Sequence, residues 1–484
     1  MEIDPGKLWR NHIDGAWVPG GGGEIAVTDP ATGAVIGRQA LADAADVDRA
    51  VAAARRVHLS GALADLRPVE RARMVQAMGR WFLERRDEIA ELLSRDQGKP
   101  VWEAVIEVEG TARYFEYFGN LAESVEGISI PLGGGYADFT RPEPLGVTAQ
   151  IIPWNYPLEM TGRGIAPALA VGCPVVVKSP ELTPLTLGCF AEAAVAVGLP
   201  PGAVNVLCGL GPVAGAALAG HRDIGNVVFT GSVATGVAVA SAAARNVVPC
   251  VLELGGKSAA VLAEDADLDR WQADLRWGIY FNAGQVCSAM SRVIVPPALA
   301  DEVADRARAV AESLQVGPGP DAREAGPTMG PLVSDAQRDR AEAMVTRAVA
   351  EGARLVTGGH RLNRPGAFLQ PTVLDRVTPE AEIAQSEVFG PVLSILTAAD
   401  EAEALRIANG TDYGLVAGVY TRDVDRALGM AAQLRAGQVF VNEWFAGGVE
   451  TPFGGVGRSG YGREKGRASL MNYVAVKNVA IRLG

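Results

Sequence analysis

The sequence predicts an α/β protein built on parallel sheets that are covered by helices. Three observations carry this. Strand-like apolar runs alternate with helix-like runs from residue 146 onward. A second block with the same rhythm follows from "VLELGG". At 484 residues the chain exceeds what one hydrophobic core organises, so two or three structural units are expected.

Residues 11–40 read as short strands and turns, "HIDGAWVPG" and then "AVTDPATGAVIG", with the cluster "PGGGGE" at 19–24 as a loop. Residues 43–60 and 67–97 carry apolar residues at helical spacing with Arg and Glu between them, which predicts helices. A third helix is expected from Val101 to about Ala122. Then "GVTAQIIPW" predicts a strand, "MTGRGIAPALAVG" a helix, "PVVVKSP" a strand and "TLGCFAEAAVAVG" a helix. "VNVLCG" follows as a strand, "GPVAGAALAG" as a helix and "NVVFTG" as a strand. This βαβα order argues for a parallel sheet with helices on its faces.

The second block runs through "RVIVP", helices at about 299–315 and 335–351, "LQPTVLDRV" and "VLSILTA". A helix at 400–409 and the strand "GLVAGVYT" come next, and the block ends near "GQVFVNEW". "NYVAVKNVAIRL" alternates apolar and polar residues as a terminal strand does.

Composition narrows the function classes. Apolar residues make up 48% of the chain, both charge signs are spread along it, and the formal net charge is −12. No basic patch stands out, so nucleic acid is not an expected partner. The five cysteines (Cys173, Cys189, Cys208, Cys250 and Cys287) form no CxxC and have no nearby His, so no metal site is expected. Their odd number and spacing do not suggest a disulfide framework, which fits a reducing cytoplasm. The N-terminus "MEIDPGKLWRNHIDG" is acidic and polar, unlike a signal peptide. No apolar run reaches the roughly 18 residues of a membrane span.

Several short stretches have chemical potential. "GLGPVAG" places Gly209, Gly211 and Gly215 one residue off the GxGxxG spacing, and reads better as a strand-to-helix turn. "VVFTGSVATG" ends an apolar strand in Gly231-Ser232, where N–H groups and a hydroxyl at a helix start can meet a phosphate. "VVVKSPELTP" puts Lys178 just after a strand with Glu181 three residues on, a donor and an acceptor for ribose hydroxyls or a solvated pair. "QIIPWNYP" stiffens Asn155 between prolines; its amide can donate to an oxyanion, or it is a turn Asn. "VLELGGKS" sets Glu253 at the end of an apolar run, where desolvation makes a carboxylate a better base.

"FNAGQVCSA" holds Cys287. A lone Cys is commonly an inert core residue. Asn282, Gly284, Gln285 and Ser288 beside it make a polar, flexible stretch that is poor core material, so a reactive thiol is the favoured expectation. None of His12, His58, His221 and His360 lies in a motif that would support a Cys/His protease.

Taken in order, "PWNYP", "KSPE", "FTGS", "ELGGKS", "FNAGQVCSA", "EVFGPV" and "PFGGVGRSGYGREKG" resemble the aldehyde dehydrogenase superfamily, of the NAD(P)-dependent, hydrolytic, non-acylating type. The match runs from about residue 11 to the C-terminus. It implies a Rossmann-like cofactor domain at 1–120 and 144–252 and an α/β catalytic domain at 253–458. A small β oligomerisation extension is implied at 121–143 and 468–484, with assembly as dimers or tetramers. Cys287 is then the nucleophile that forms a thiohemiacetal and then a thioester. Asn155 and the Cys287 N–H hold the oxyanion, Glu253 activates the hydrolytic water, and Glu464 takes part in proton relay.

The same resemblance places Lys178 and Glu181 at the adenosine ribose, Gly231 and Ser232 at the pyrophosphate, and Glu387 and Phe389 at the nicotinamide end. Ile151, Pro153, Trp154 and Leu254 complete the cofactor set. Glu181 implies NAD rather than NADP, because a carboxylate accepts from a 2′-hydroxyl and repels a 2′-phosphate. Gly172-Cys173 departs from the family's usual Gly-Asn, ahead of the strand rather than in the site.

Tyr156, Met160 and Arg163 fall at spacings of one helix face and are expected to line the substrate entry. Trp444 and Phe445 of "NEWFAGG" are expected from the opposite side, which suggests an aromatic or extended aldehyde. Arg163 meets an acidic substrate tail or, the favoured expectation, pairs with Glu159 on a helix surface at i,i+4. The rival functions are a CoA-acylating dehydrogenase, disfavoured by Glu253, and a non-catalytic binding member of the fold, disfavoured by Cys287, Glu253 and Asn155 together.

Overall fold

A computed structural model describes residues 3–323 and 328–484. The first main sheet has eight strands. Its parallel centre runs Cys250–Glu253, Ile224–Thr230, Val147–Ile151, Val175–Ser179, Val204–Cys208. Gly460–Tyr461 closes one edge, and the hairpin Asn11–Ile13/Ala16–Val18 closes the other; both edges are antiparallel. The central strands are apolar and almost entirely buried, as a parallel sheet with helices on both faces requires.

The second sheet has seven strands in the order Arg354–Thr357, Thr372–Asp375, Val392–Thr397, Arg292–Val295, Ala259–Leu262, Val416–Tyr420, Gln438–Val441. All its pairings are parallel except that of the outer strand Arg354–Thr357. Its core is a hydrophobic cluster of its own, separate from the clusters on the faces of the first sheet. The strands Tyr136–Pro144 and Val474–Arg482 pair antiparallel over nine residues as a two-stranded ribbon. Tyr136, Phe139, Val476 and Ile481 are exposed on this ribbon.

Three details differ from the sequence expectation. The helix at 67–97 is two helices, Pro68–Glu84 and Arg86–Gln97, broken at Arg85, whose backbone leaves the helical region (φ −117°, ψ 17°). The apolar period runs across the break because both pieces pack against the helix Val101–Leu121. "VLELGG" does not open the second block: Cys250–Glu253 pairs with Ile224–Thr230 and belongs to the first sheet. "GPVAGAALAG" is a π-turn at Gly211–Gly215 followed by the short helix Ala216–Ala219 rather than one regular helix.

Among the described residues no helix is long and apolar enough to cross a membrane, and no cluster of His, Cys, Asp or Glu has the makings of a metal site.

Candidate active site

The carboxyl ends of adjacent parallel strands are where an open α/β sheet receives its ligands. Three such ends here supply one wall of a cavity of about 420 Å³. The segment after Val147–Ile151 gives Pro153, Trp154, Asn155 and Tyr156; Ile224–Thr230 leads into Gly231 and Ser232; Cys250–Glu253 leads into Leu254 and Gly255. The other wall comes from the second sheet's unit, with Phe281, Cys287, Glu387, Phe389 and Phe445.

Two glycines bring the walls together. A side chain at Gly256 would sit 2.5 Å from the carbonyl oxygen of Cys287, and one at Gly255 would sit 2.5 Å from the Glu387 carboxylate. The Gly256 N–H donates to Glu387 Oε1 at 3.1 Å. The "GG" after Glu253 is therefore a close-approach device, and only residues without Cβ allow it.

The Cys287 loop is not the flexible stretch expected from its composition. Asn282, Ala283 and Gly284 are successively left-handed (φ 49°, 53° and 71°), and a side chain at Gly284 would overlap the Gly390 carbonyl. Asn282 and Gln285 are buried. Gln285 Nε2 donates to the Asn282 carbonyl at 2.9 Å, and Gln285 Oε1 accepts from the Val333 N–H at 2.9 Å. The Asn155 amide donates to the Gln285 carbonyl at 2.9 Å, and Asn282 Nδ2 donates to the Asn155 carbonyl at 2.9 Å. The polar side chains serve as internal braces of the loop that carries the thiol.

Behind the braces lies a buried charged network that was not legible in the sequence. Lys99 pairs with Glu107 at 2.5 Å, both side chains fully buried, and Lys99 Nζ also donates to the Asn155 carbonyl at 3.1 Å. The second Glu107 oxygen accepts from the N–H groups of Leu158 (2.9 Å) and Glu159 (3.2 Å), two of the orphan donors at the start of the helix Pro157–Val171. Glu103 accepts from the Asn282 N–H at 2.9 Å. Breaking a buried pair by removing one partner costs about 3–5 kcal/mol. Lys99→Met should therefore lower the denaturation midpoint of the protein by several degrees, and an unchanged midpoint would contradict this role.

Cys287 faces the cavity. Burial, reinforced by the Glu387 and Glu253 carboxylates and opposed by Arg163, pushes its thiol up to about 12. Glu253 is buried, with no hydrogen-bond partner on either carboxylate oxygen among the described residues. Burial holds its proton affinity well above the ordinary carboxylate range, with Arg163 pulling the other way. Glu387 is raised by burial to about 7.

Arg163 is neither exposed nor paired with Glu159. The helix that carries it is buried on nearly all sides, so i,i+4 surface pairing is unavailable. Its guanidinium forms an ion pair with Glu464, stands 4.0 Å from Glu253 and lies 4.8 Å over the Phe453 ring. Glu159 instead accepts from the Tyr114 hydroxyl at 3.2 Å. Tyr156, Met160, Arg163 and Phe445 line the cavity. Trp444 does not: it is buried behind the loop, and its indole N–H donates to the Ser288 carbonyl at 3.2 Å. Sequence reasoning missed Phe281, Phe453 and Lys465 as lining residues. All three stand in the motifs named above, but only the loop geometry turns them inward.

Of the expected cofactor contacts, Pro153, Trp154, Gly231, Ser232, Leu254, Glu387 and Phe389 line the cavity. Trp154 and Phe389 meet edge to face with ring centres 5.2 Å apart. Lys178 and Glu181 lie outside it, at the carboxyl end of Val175–Ser179, with Nζ and Oε2 2.7 Å apart. Ile151 ends the neighbouring strand and is buried. Ser232 caps the helix Val233–Ala244, its hydroxyl accepting from the Thr235 N–H at 3.3 Å. The strands run in the order Val175–Ser179, Val147–Ile151, Ile224–Thr230, Cys250–Glu253, so Glu181, Asn155, Ser232 and Glu253 follow one another along the carboxyl ends of the sheet. That row offers a donor and acceptor for ribose, a helix N-terminus for phosphate, and a cleft ending at Cys287. These residues fit an elongated dinucleotide. "GLGPVAG" stands apart from the cavity.

The model of the aldehyde dehydrogenase family matches residues 17–479. The chain is 40% identical to the mitochondrial benzaldehyde dehydrogenase of Antirrhinum majus, over 97% of this chain and 88% of that one. It is 41% identical to the peroxisomal aminoaldehyde dehydrogenase 2 of Pisum sativum, over 96% of this chain and 94% of that one. The NAD+ complex of an aldehyde dehydrogenase from Bacillus cereus superposes with a TM-score of 0.96 at 37% identity, covering 100% of this chain and 97% of that one.

Proposed function

The chain belongs to the aldehyde dehydrogenase family and is an NAD-dependent oxidoreductase that takes aldehydes to carboxylic acids; we propose that it does so by covalent catalysis at Cys287. The observation that carries this is the convergence of Cys287, Asn155 and Glu253 on one cavity at the ends of the sheet strands.

The Cys287 sulfur attacks the aldehyde carbon, and the carbonyl electron pair moves onto oxygen. With its proton affinity so high, the thiol gives up its proton as the carbon–sulfur bond forms, and Glu253, without a hydrogen-bond partner among the described residues, is the acceptor within the cavity. The Asn155 amide has a second N–H beyond the one given to Gln285, and this donates to the oxyanion together with the Cys287 N–H. NAD, when bound, supplies the hydride acceptor that turns this adduct into a thioester. Glu253, having passed its proton to solvent, takes one from water, the hydroxide oxygen bonds to the acyl carbon, and the Cys287 thiolate leaves. Lys178, Glu181, Ser232, Glu387 and Phe389 are the residues that would hold the dinucleotide. Glu464 is ion-paired with Arg163, which stands 4.0 Å from Glu253.

Tyr156, Met160, Phe281, Phe445 and Phe453 make the substrate end apolar and aromatic, which favours an aromatic or extended neutral aldehyde. The purified protein with NAD and a panel of aliphatic, aromatic and acidic aldehydes should produce NADH and the matching acid, with the highest kcat/KM among the aromatic ones. No NADH with any of them would overturn the assignment.

NAD should be preferred to NADP. Glu181 stands at the ribose end of the row, and its Lys178 partner offsets only part of its charge against a 2′-phosphate. Glu181→Gln should narrow the ratio of kcat/KM for NAD over NADP by about tenfold, on the scale of one removed like-charge contact. A wild-type enzyme equally active with NADP would contradict this.

The eight-stranded sheet is the proposed cofactor domain, the seven-stranded sheet the catalytic one, and the ribbon Tyr136–Pro144/Val474–Arg482 the surface for a homodimer or homotetramer. Its exposed apolar side chains and open strand edges support that use. The five unpaired cysteines support a reducing compartment such as the cytoplasm.

A further inference from the structure

Glu253 sits among four charged side chains from two segments of the chain. Arg163 reaches it from the helix Pro157–Val171, and Arg463, Glu464 and Lys465 face it from the loop after Gly460–Tyr461; Cys287 stands across the cavity. Arg463 is committed to the Gly455 and Gly462 carbonyls, at 2.8 and 2.7 Å. Among the described residues, Arg163 is the cation that comes within 4.0 Å of the Glu253 carboxylate. It makes no hydrogen bond there, because its guanidinium is turned to Glu464, and among the described residues neither Glu253 oxygen has a hydrogen-bond partner.

This arrangement has an electrostatic consequence. A guanidinium bound directly to a buried carboxylate holds it ionised and makes it a poor proton acceptor. Glu464 draws that guanidinium away and cancels much of its charge. Resting on the reading of Glu253 as the base, we propose that the Arg163–Glu464 pair is a positioning device that sets the proton affinity of Glu253, with the two partners acting in opposite directions. Arg163 keeps Glu253 ionisable in a buried cavity, and Glu464 keeps Arg163 from capturing it. Glu464 thereby acts on the reaction without touching substrate or cofactor.

The test is the pH dependence of steady-state turnover with NAD and hexanal, a neutral probe, in wild type, Glu464→Gln, Arg163→Met, Arg163→Lys and Glu253→Gln. The acidic limb of the wild-type profile should vanish in Glu253→Gln. In Glu464→Gln the limb should move to lower pH by about one unit or more, because the released guanidinium turns to Glu253; nearby opposite charge shifts carboxylates on this scale. In Arg163→Met it should move to higher pH by a similar amount, and Arg163→Lys should restore it close to wild type.

A merely structural pair predicts loss of activity with no displacement of the limb. Limbs that stay in place, or that move in the same direction in Glu464→Gln and Arg163→Met, overturn the proposal. Should Arg163→Met fail to fold, as judged by circular dichroism, Glu464→Gln decides alone: a downward shift supports the proposal and no shift refutes it. A limb that survives in Glu253→Gln overturns the base assignment, and this inference with it.

Discussion

Cys287→Ala makes no NADH from any aldehyde. The alanine side chain fits the same wall of the cavity, and the braces that shape the loop belong to Asn282, Gln285 and Asn155, none of which uses the sulfur. The variant should therefore fold and bind NAD as wild type does, which separates lost chemistry from lost structure. Without the sulfur no tetrahedral adduct forms, and removing the nucleophile of a covalent mechanism costs on the order of 10⁶-fold in rate. No other cysteine can stand in. Cys173, Cys189 and Cys208 are buried in the first sheet's unit, and burial pushes their thiols up, Cys173 to about 11 and Cys208 to about 12. Cys250 is half-buried on a strand of that sheet and does not line the cavity. Measurable aldehyde-dependent NADH from Cys287→Ala would end the assignment.

The sheets were legible because their information is local. A buried parallel strand must be a short apolar run, and the helix that follows must repeat its apolar residues every three or four positions. "VVVKS" and "VNVLC" announce themselves without their neighbours. The break at Arg85 was not legible, because the helices on either side bury the same side against one partner and so keep a common period. The allegiance of Cys250–Glu253 was not legible either, since an apolar strand carries no mark of which sheet it will join.

The site divides along the same line. Asn155, Glu253 and Cys287 stand in motifs that can be quoted, and the structure brings them to one cavity. What the sequence could not show is where each charge goes. Arg163 and Glu159 are four apart on a helix, the spacing of a surface pair, yet Arg163 finds Glu464, three hundred and one positions away in the chain. Lys99 and Glu107 look like solvated charges and are fully buried beneath the Asn155 carbonyl. Trp444 and Phe445 are neighbours, and the left-handed backbone at Phe445 sends one into the cavity while the other packs behind it. Composition misled at the Cys287 loop for a related reason: Asn and Gln mark flexible surface when their partners are water, and fixed structure when their partners are carbonyls.

Glu253→Gln should separate the two halves of the reaction. The wild-type carboxylate has no hydrogen-bond partner among the described residues, so the amide breaks no bond, and the Arg163–Glu464 pair beside it can stay intact. The substitution removes proton acceptance and little else. Hydrolysis of the thioester needs a base to take a proton from water, and losing a general base typically costs about 10²–10⁴-fold. Formation of the thioester needs the Cys287 proton to leave, which can also occur slowly to solvent through the open cavity. Mixed with NAD and aldehyde, the variant should therefore release up to one NADH per active site and then turn over at a rate lower by about 10²–10⁴-fold. The burst should be slower than in wild type, because Glu253 also takes the thiol proton, but its amplitude should persist, because amplitude counts sites and not rates. Mass spectrometry of the trapped enzyme should find the acyl group on the peptide that contains Cys287. Turnover at the wild-type rate would remove Glu253 from the hydrolytic step, and an acyl group on any other cysteine would remove Cys287 from the first.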